Sequence, residues 1–154
     1  MTTIPGLTVT LADIPQVVER FRNRNRDIHA VEADLFDSES WPIGPDCHLL
    51  ANVLHDWINI DDILSASCHA LKQSAKADAG SAGRLIIIEQ LLADNKAGPL
   101  PAALASVSML LGDWRTGKQY SFAELQLAAQ RAGFSTVELG PSCGDFHTAI
   151  ICHV

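Results

Sequence analysis

Residues 84–89 read RLIIIE, from Arg84 to Glu89, and form the strongest strand signal in the sequence. Four apolar residues in an unbroken row are typical of a strand covered on both faces, because a half-exposed strand alternates apolar and polar side chains. Strands of this kind lie near the centre of parallel sheets. The stretch therefore predicts an α/β fold built around this strand.

Strand and helix patterns alternate in the chain before this strand. Apolar and β-branched residues indicate strands over Leu7–Leu11 and Ile28–Ala33, and apolar residues at helical spacing indicate a helix from Ile14 to about Asn23 between them. Cys47–Leu54 is a third strand, apolar enough to be covered on both faces. This half of the chain therefore has the alternation expected of a parallel sheet.

The remaining elements continue the alternation and end in two consecutive strands. Asn59 is the expected start of a helix that ends between Lys72 and Ser81. Two further helices are predicted, one over 102–111 and one that begins at the capping box Ser121–Glu124 and ends at Gly133. Two strands follow, over 137–139 and 146–152, and residues 140–144 join them. This order predicts an open α/β sheet that is mostly parallel, with one antiparallel strand.

Composition limits the class of protein. The chain has 154 residues, 47% hydrophobic and 19% charged, which is typical of one globular domain. The formal net charge of -7 argues against a nucleic-acid partner, because phosphate contacts need local positive charge. No apolar segment approaches the roughly 20 residues that cross a bilayer, so we expect no membrane partner and a cytoplasmic location.

The cysteines indicate neither a disulfide scaffold nor a zinc site. They are Cys47, Cys68, Cys143 and Cys152, without the paired spacing of a metal centre. We expect buried free thiols. Cys143, Asp145 and His147 share one strand parity, but with no second ligand pair they do not predict a metal. A mean hydropathy of +0.12 is high for a small acidic domain and predicts apolar surface covered by another chain.

Polar residues follow four of the predicted strands. They are Asp13, Asp34, His55 with Asp56, and Glu89. Open α/β sheets bind their ligands at the carboxyl ends of the strands. We therefore expect the chemistry of the protein at this edge of the sheet.

Two of these carboxylates have both a binding and a structural interpretation. Asp13 suits the diol of a ribose, and it also suits the N-cap of the helix that begins at Ile14. Asp34 could accept the exocyclic amine of a base, with Leu35 or Phe36 against the face of that base. Composition alone favours the interpretation of Asp34 as an ordinary loop residue.

His55 and Glu89 are the candidate catalytic pair. A histidine at the end of a buried strand can act as a general base near neutral pH, although most such histidines are structural. If their strands are neighbours, Glu89 lies beside His55, where a carboxylate fixes the tautomer of an imidazole and raises its basicity. This pairing depends on the predicted fold.

Further residues are candidates for a substrate pocket next to His55 and Glu89. Lys118 and Gln119 precede the capping-box helix and could reach over the site, although the same residues suit a solvated turn. Met109, Leu110 and Trp114 suit an apolar pocket for an aromatic substrate, and at helical spacing they equally suit the core. Of these, we take Met109, Trp114 and Gln119 as the candidate pocket residues.

Six short motifs stand in order along nearly the whole chain. They are Asp13-Ile14-Pro15, Ala33-Asp34-Leu35-Phe36, Asn52-Val53-Leu54-His55-Asp56-Trp57, Leu85-Ile86-Ile87-Ile88-Glu89, Gly117-Lys118 and Ala132-Gly133-Phe134. In order and spacing they resemble the plant-type O-methyltransferases that use S-adenosylmethionine, a family that includes caffeic acid, acetylserotonin and bacterial polyketide O-methyltransferases. Val-Leu-His-Asp-Trp is the most specific part of this resemblance.

The resemblance implies a role for each site residue and a name for the fold. Residues 1–154 would be part of a catalytic domain with a Rossmann-like methyltransferase sheet. Asp13 would bind the ribose of the cofactor, and Asp34 with Leu35 would bind its adenine. His55 would take the proton from a hydroxyl of a small acceptor, and Glu89 would orient His55.

The sequence departs from the family pattern in ways that bear on function. Gln119 stands where the family often has a second acid, and Ala51 stands where the plant enzymes have a basic residue that contacts the cofactor. The glycine-rich first strand, expected before Leu7, is missing, as is an N-terminal dimerisation domain. Because that strand is central in the family, we expect either direct closure of the gap or a second chain that covers it.

Three functions are consistent with these observations. The first is a truncated or split O-methyltransferase domain, supported by Asp13, Asp34, His55 and Glu89 together. The second is a catalytically inactive binding or assembly module, favoured by the missing glycine turn. The third, an NAD-linked oxidoreductase, ranks last because the sequence has no Gly-x-Gly-x-x-Gly turn.

Overall fold

The computed structural model describes residues 4–24, 28–77, 82–111 and 117–154, and it is an α/β structure. Its strands are β1 (Thr10–Asp13), β2 (His29–Glu32), β3 (Cys47–Ala51), β4 (Arg84–Glu89), β5 (Thr136–Cys143) and β6 (His147–His153). Its helices are α1 (Pro15–Arg22), α2 (Ile60–Ala77), α3 (Leu100–Leu111) and α4 (Phe122–Ala132), with a 3₁₀ helix at Leu54–Asp56.

The strands form two sheets rather than one open sheet. β1 pairs with β2 in parallel, and a four-stranded sheet has the order β3-β4-β6-β5. Among the described strands, β6 runs antiparallel to both β4 and β5, whereas the pairs β1-β2 and β3-β4 are parallel. The prediction of a mostly parallel arrangement with one antiparallel strand is confirmed. Direct closure of the gap is wrong, because β1 and β3 are not paired with each other.

Glu89 ends the central strand of the larger sheet, as predicted. β4 lies between β3 and β6, and its neighbour β3 leads directly to the segment that contains His55. β3 is parallel to β4, so both strands present their carboxyl ends at one edge. The fold thus brings Glu89, at the end of β4, and His55, in the turn after β3, to the same edge of the sheet.

Three predicted strand boundaries are wrong. The first strand lies at Thr10–Asp13 rather than Leu7–Leu11, because its ladder begins where β2 begins, with Thr10 opposite His29. β3 stops at Ala51 because the next residue, Asn52, has a left-handed backbone with φ 55. β5 extends through most of the predicted 140–144 connection, with an irregular register where proline lacks an N–H.

One face of β3 is exposed, contrary to the prediction that both faces are covered. Leu50 is buried and Leu49 is exposed, so the burial alternates along the strand. Helices α2 and α4 pack together and contribute to a core with the buried residues of the four-stranded sheet.

The ends of α4 follow the sequence closely. Ser121 and Glu124 form the capping box, in which each side chain accepts a hydrogen bond from the backbone N–H of the other residue. Gly133 ends the helix in the left-handed conformation with φ 102, which costs glycine little. Both predictions are confirmed.

Two expectations about the surface have different outcomes. All four cysteines are free; Cys68 and Cys152 are buried as expected, but Cys47 is exposed because it lies on the uncovered side of β3. In the part of the chain that the structure describes, the helices are too short or too polar to cross a membrane. The cytoplasmic location stays a prediction.

His48 is a polar residue on the buried face of β3. Its Nδ1 lies 3.0 Å from the hydroxyl of Ser67, and its ring lies 4.9 Å from that of Trp41. Among the described residues its Nε2 has no hydrogen-bond partner. Burial therefore lowers the pKa of His48 from 6.5 to about 4, because the charged imidazole would lose its hydration.

The free energy of unfolding should fall in acid through His48. His48 takes up a proton at about pH 6.5 in the unfolded chain and only near pH 4 in the folded chain. Its contribution to the free energy of unfolding is therefore complete above pH 6.5 and is lost as the pH falls towards 4. The loss amounts to about 3 kcal/mol. Urea unfolding between pH 4 and 7 measures it. His48→Gln should flatten this slope, whereas the exposed His29→Gln should keep it; equal slopes would contradict the assignment.

Candidate active site

Glu89 anchors the backbone that carries the site. The residue is 2% exposed at the end of β4. Its Oε1 accepts hydrogen bonds from the backbone N–H groups of Val53, Leu54 and His55, at 3.1, 2.9 and 3.4 Å. The first N–H groups of a helical turn have no partner within that turn, so a buried carboxylate is well placed to satisfy them. Glu89 thus fixes the turn after β3.

The second oxygen of Glu89 holds the imidazole of His55. Glu89 Oε2 lies 2.7 Å from Nδ1 of His55, whose side chain is mostly buried. The hydrogen bond to Glu89 raises the pKa of His55 above its usual value, against an opposing effect of burial. In the neutral ring the proton then lies on Nδ1, which leaves Nε2 with a free lone pair. Such an imidazole can accept a proton from a hydroxyl.

Asp56 approaches the other ring nitrogen of His55. Its Oδ1 lies 3.5 Å from Nε2, and its negative charge also raises the pKa of His55. A carboxylate at this distance stabilises the imidazolium that forms when Nε2 takes a proton. The sequence placed Asp56 beside His55 but did not predict that the two side chains meet.

The segment that begins at Gly117 packs directly against the backbone of His55. The N–H of Lys118 donates to the carbonyl oxygen of His55 at 2.9 Å. A Cβ at position 117 would collide with that same carbonyl oxygen, so the close approach requires glycine. The Cβ would also meet Sδ of Met109 at 3.3 Å, which places this pocket candidate beside the site.

The pocket candidates have three different outcomes. Gln119 is 4% exposed, and its backbone N–H donates to the hydroxyl of Ser106 at 3.3 Å. The interpretation of Gln119 as part of a solvated turn is therefore wrong. Its amide oxygen has no hydrogen-bond partner within the described ranges. Met109 is half-buried on α3, and Trp114 lies outside the described residues.

The loop after β2 reaches the segment that follows His55. The rings of Phe36 and Trp57 meet edge to face, with centroids 4.9 Å apart. The hydroxyl of Tyr120 donates to the carbonyl oxygen of Trp57, and burial raises the pKa of that hydroxyl to about 12. Sequence reasoning missed Tyr120, the only tyrosine in the chain, because no spacing rule links it to residue 57.

The two cofactor candidates are held by local hydrogen bonds. Asp13 accepts from the N–H of Ile14 at 2.8 Å, but Ile14 itself is the N-cap of α1, so the N-cap interpretation of Asp13 is wrong by one residue. The carboxylate of Asp34 accepts a hydrogen bond from the N–H of Phe36 at 2.9 Å. The backbone N–H of Asp34 donates to the hydroxyl of Ser40, also at 2.9 Å. Leu35 packs against the main core.

His147 makes a contact that the sequence did not predict. Its Nε2 lies 2.9 Å from Oδ1 of Asn52, which connects the start of β6 to the residue after β3. Among the described residues no group of three histidine, cysteine or acidic side chains is arranged to hold a metal ion. The left-handed conformation of Asn52 positions it for this contact, and no sequence pattern reveals such a conformation.

Comparisons with known sequences agree on one family. A family model described as the O-methyltransferase domain matches residues 1–135. The chain is 35% identical over 141 residues to the 3-hydroxy-5-methyl-1-naphthoate 3-O-methyltransferase of Streptomyces sahachiroi, covering 86% of this chain and 38% of that protein. It is 34% identical to the acetylserotonin O-methyltransferase of Gallus gallus, covering 96% and 41%.

Solved structures show the same similarity. The human N-acetylserotonin methyltransferase in complex with SAM is 28% identical, with a TM-score of 0.80, over 97% of this chain and 41% of that chain. The structure of PigF with SAH is 28% identical, also with a TM-score of 0.80, over 96% and 44%. The chain thus spans about two fifths of the length of the proteins it matches.

Proposed function

Because the chain belongs to the O-methyltransferase domain family, we propose that residues 1–154 are part of a catalytic domain that methylates a hydroxyl of a small aromatic acceptor. The observation that carries this proposal is the contact between His55 and Glu89. It supplies a base with a defined tautomer at the carboxyl edge of the sheet, where such folds bind their ligands.

His55 removes the proton of the acceptor hydroxyl. Its Nε2 carries the lone pair, since Nδ1 is committed to Glu89. The resulting imidazolium lies between the carboxylates of Glu89 and Asp56, which offset the cost of the new charge in a mostly buried site. The acceptor oxygen is then more nucleophilic.

The chemistry of the donor set fits S-adenosylmethionine, which supplies an electrophilic methyl group on a sulfonium when bound. Asp13 at the end of β1 offers a carboxylate for the ribose diol. Asp34 offers one for the adenine amine, with Leu35 beside it. Ala51 contributes no charge where the plant enzymes have a basic residue, so the carboxylates are expected to provide most of the polar recognition.

The acceptor binds beside Met109 and Gln119; Trp114, the third pocket residue expected from the sequence, lies outside the described residues. The buried amide oxygen of Gln119 can accept a hydrogen bond from the small molecule that is methylated. Met109 offers this molecule an apolar, polarisable contact. Two relatives are named for a hydroxynaphthoate and for acetylserotonin, which are aromatic molecules of similar size. The pocket chemistry supports an acceptor of this class.

The unpaired edges of β1 and β3 are evidence for a partner chain. Each strand has a paired neighbour on one side only among the described residues. An unpaired strand edge offers N–H and C=O groups to another chain. We expect a second copy of the chain or a complementing chain to cover these edges.

A binding or assembly module without catalysis is the second candidate. The observation that favours it is that β1, which ends in Asp13, and β3, which leads to His55, are not hydrogen-bonded to each other. If the gap between these two strands stays open, Asp13 and the base do not act on one ligand. The chain would then retain its sheets for stability alone.

Binding of S-adenosylmethionine distinguishes the two functions. Calorimetric titration should give a dissociation constant in the micromolar range, weakened about tenfold or more by Asp13→Ala. Asp37→Ala is the matched control, because Asp37 also accepts one backbone N–H, from Glu39. No heat at millimolar cofactor, or equal weakening by both variants, would favour the module.

A further inference from the structure

The 3₁₀ turn that carries His55 needs hydrogen-bond partners at both of its ends. At its start, Glu89 accepts from the backbone N–H groups. At its end, the last carbonyl oxygens of a helical turn have no partner within the turn, so their donors must come from elsewhere. In this protein residues 118 and 120 supply them.

The hydroxyl of Tyr120 donates to the carbonyl oxygen of Trp57, the residue that follows the turn. The carbonyl oxygen of Ile58 lies 3.3 Å from the same hydroxyl. Two positions earlier in the chain, the backbone N–H of Lys118 donates to the carbonyl oxygen of His55 at 2.9 Å. One short segment therefore binds the end of the turn at two points.

The surroundings of Tyr120 indicate that its hydroxyl matters as well as its ring. The residue is 4% exposed, and phenylalanine would fill the same space without the cost of burying a polar group. Burial, together with the carboxylates of Glu124, Asp61 and Glu89, raises the pKa of the hydroxyl to about 12. The hydroxyl thus remains a donor throughout the pH range in which His55 titrates.

The neighbours of Tyr120 anchor it in turn. Its carbonyl oxygen accepts from the N–H of Leu92 at 2.9 Å, which ties it to the segment after β4. The ammonium of Lys118 lies 4.7 Å from the centroid of its ring and 2.9 Å from the carboxylate of Glu124. Since Glu124 belongs to the capping box of α4, the position of the phenol is fixed both after β4 and at the start of α4.

We propose that Tyr120 is a positioning residue for His55, whose turn it closes so that the imidazole stays in contact with Glu89. A hydrogen bond of 2.7 Å between two side chains tolerates little movement of either backbone, so the turn must be held at both ends. The inference rests on the proposed function, in which His55 is the base. The positioning itself is measurable without methyl transfer.

Tyr120→Phe tests the proposal, because it removes the donor and keeps the ring. Amide hydrogen exchange of Leu54 and Trp57, whose N–H groups are bonded within the turn and to Glu89, should become ~10-fold or more faster. The amides of β4 should keep their rates. These measurements separate loosening of the turn from loss of stability in the whole domain.

NMR of the imidazole gives the second measurement. The pKa of His55 should fall towards its ordinary value in Tyr120→Phe, because the hydrogen bond to Glu89 is the largest cause of its rise and Asp56 adds only a smaller one. The matched control is Ser74→Ala, which removes another buried hydroxyl that is bonded to backbone groups. It should change neither the exchange of the turn nor the pKa of His55.

Methyl transfer then connects the positioning to the reaction. Tyr120→Phe should lower kcat by ~10-fold or more and leave KM unchanged, since the hydroxyl acts only through the turn. A chain that transfers no methyl but shows both changes at His55 supports the positioning and contradicts only the proposed function.

Three results overturn the proposal. The first is a folded Tyr120→Phe, checked by thermal unfolding, in which the exchange of the turn and the pKa of His55 are those of the wild-type chain. The second is exchange that becomes equally faster in β4. The third is a variant that fails to fold, because the hydroxyl would then serve general stability rather than the position of His55.

Discussion

Glu89→Gln is expected to abolish most of the methyl transfer while leaving the turn after β3 in place. The amide oxygen of glutamine can still accept from the N–H groups of Val53 and Leu54, as Oε1 of Glu89 does. The amide nitrogen would instead face Nδ1 of His55 and donate to it. The ring must then carry its proton on Nε2, which cannot act as a base.

The expected loss of rate is about 10²–10⁴-fold, similar to the loss of a general base. Nitrogen NMR of the imidazole should show the proton on Nδ1 in the wild-type chain and on Nε2 in Glu89→Gln. Glu32→Gln is the matched control, because Glu32 ends β2 but is exposed. If Glu89→Gln retains the wild-type tautomer and rate, the orienting role of Glu89 is wrong.

The same variant changes stability in a way that depends on pH. The pKa of His55 is raised in the folded chain by its hydrogen bond to Glu89. The His55–Glu89 pair therefore stabilises the folded chain fully below pH 6.5, and this stabilisation is lost as the pH rises through the pKa of His55 in the folded chain. Glu89→Gln should therefore lower the free energy of unfolding more at pH 6 than at pH 9. Glu89→Leu also removes the acceptor for the backbone N–H groups, and it should destabilise the chain by a further ~1–3 kcal/mol at both pH values.

Sequence reasoning brought the candidate pair His55 and Glu89 together because local patterns and one topological rule were sufficient. The apolar run before Glu89 indicated a central strand, and parallel neighbours must present their carboxyl ends together. The capping box at Ser121 is a short-range pattern, and short-range hydrogen bonds rarely depend on distant packing. The capping box required no knowledge of the rest of the chain, whereas the His55–Glu89 pair also required that β3 and β4 be neighbours.

The sequence could not show what depends on distant contacts. β1 and β3 read as members of one sheet, since strand patterns do not say which strands pair. The exposure of Leu49 depends on which helices cover β3, and the left-handed backbone of Asn52 depends on its neighbours. The contact between Tyr120 and Trp57 joins segments far apart in the chain. Each of these features is decided by tertiary packing rather than by local pattern.

His55→Gln is expected to lower the turnover number by about 10²–10⁴-fold without weakening the binding of S-adenosylmethionine. The side chain removed is the proposed base, whereas the proposed cofactor residues Asp13 and Asp34 are held by the backbone N–H groups of Ile14 and Phe36. Transfer of labelled methyl to acetylserotonin or a hydroxynaphthoate measures the rate, and calorimetry measures the affinity. His69→Gln, at an exposed histidine on α2, is the matched control.

The pH profile then tests whether His55 acts as the base rather than as a structural residue. Only the neutral imidazole accepts a proton, so the wild-type rate should rise with pH and reach half its maximum above pH 6.5, because Glu89 raises the pKa of His55. This limb should disappear in His55→Gln. Since the two side chains act as a unit, the double variant with Glu89→Gln should be little slower than either single variant. Multiplied losses in the double variant, or a limb that survives in His55→Gln, would show that another group removes the proton.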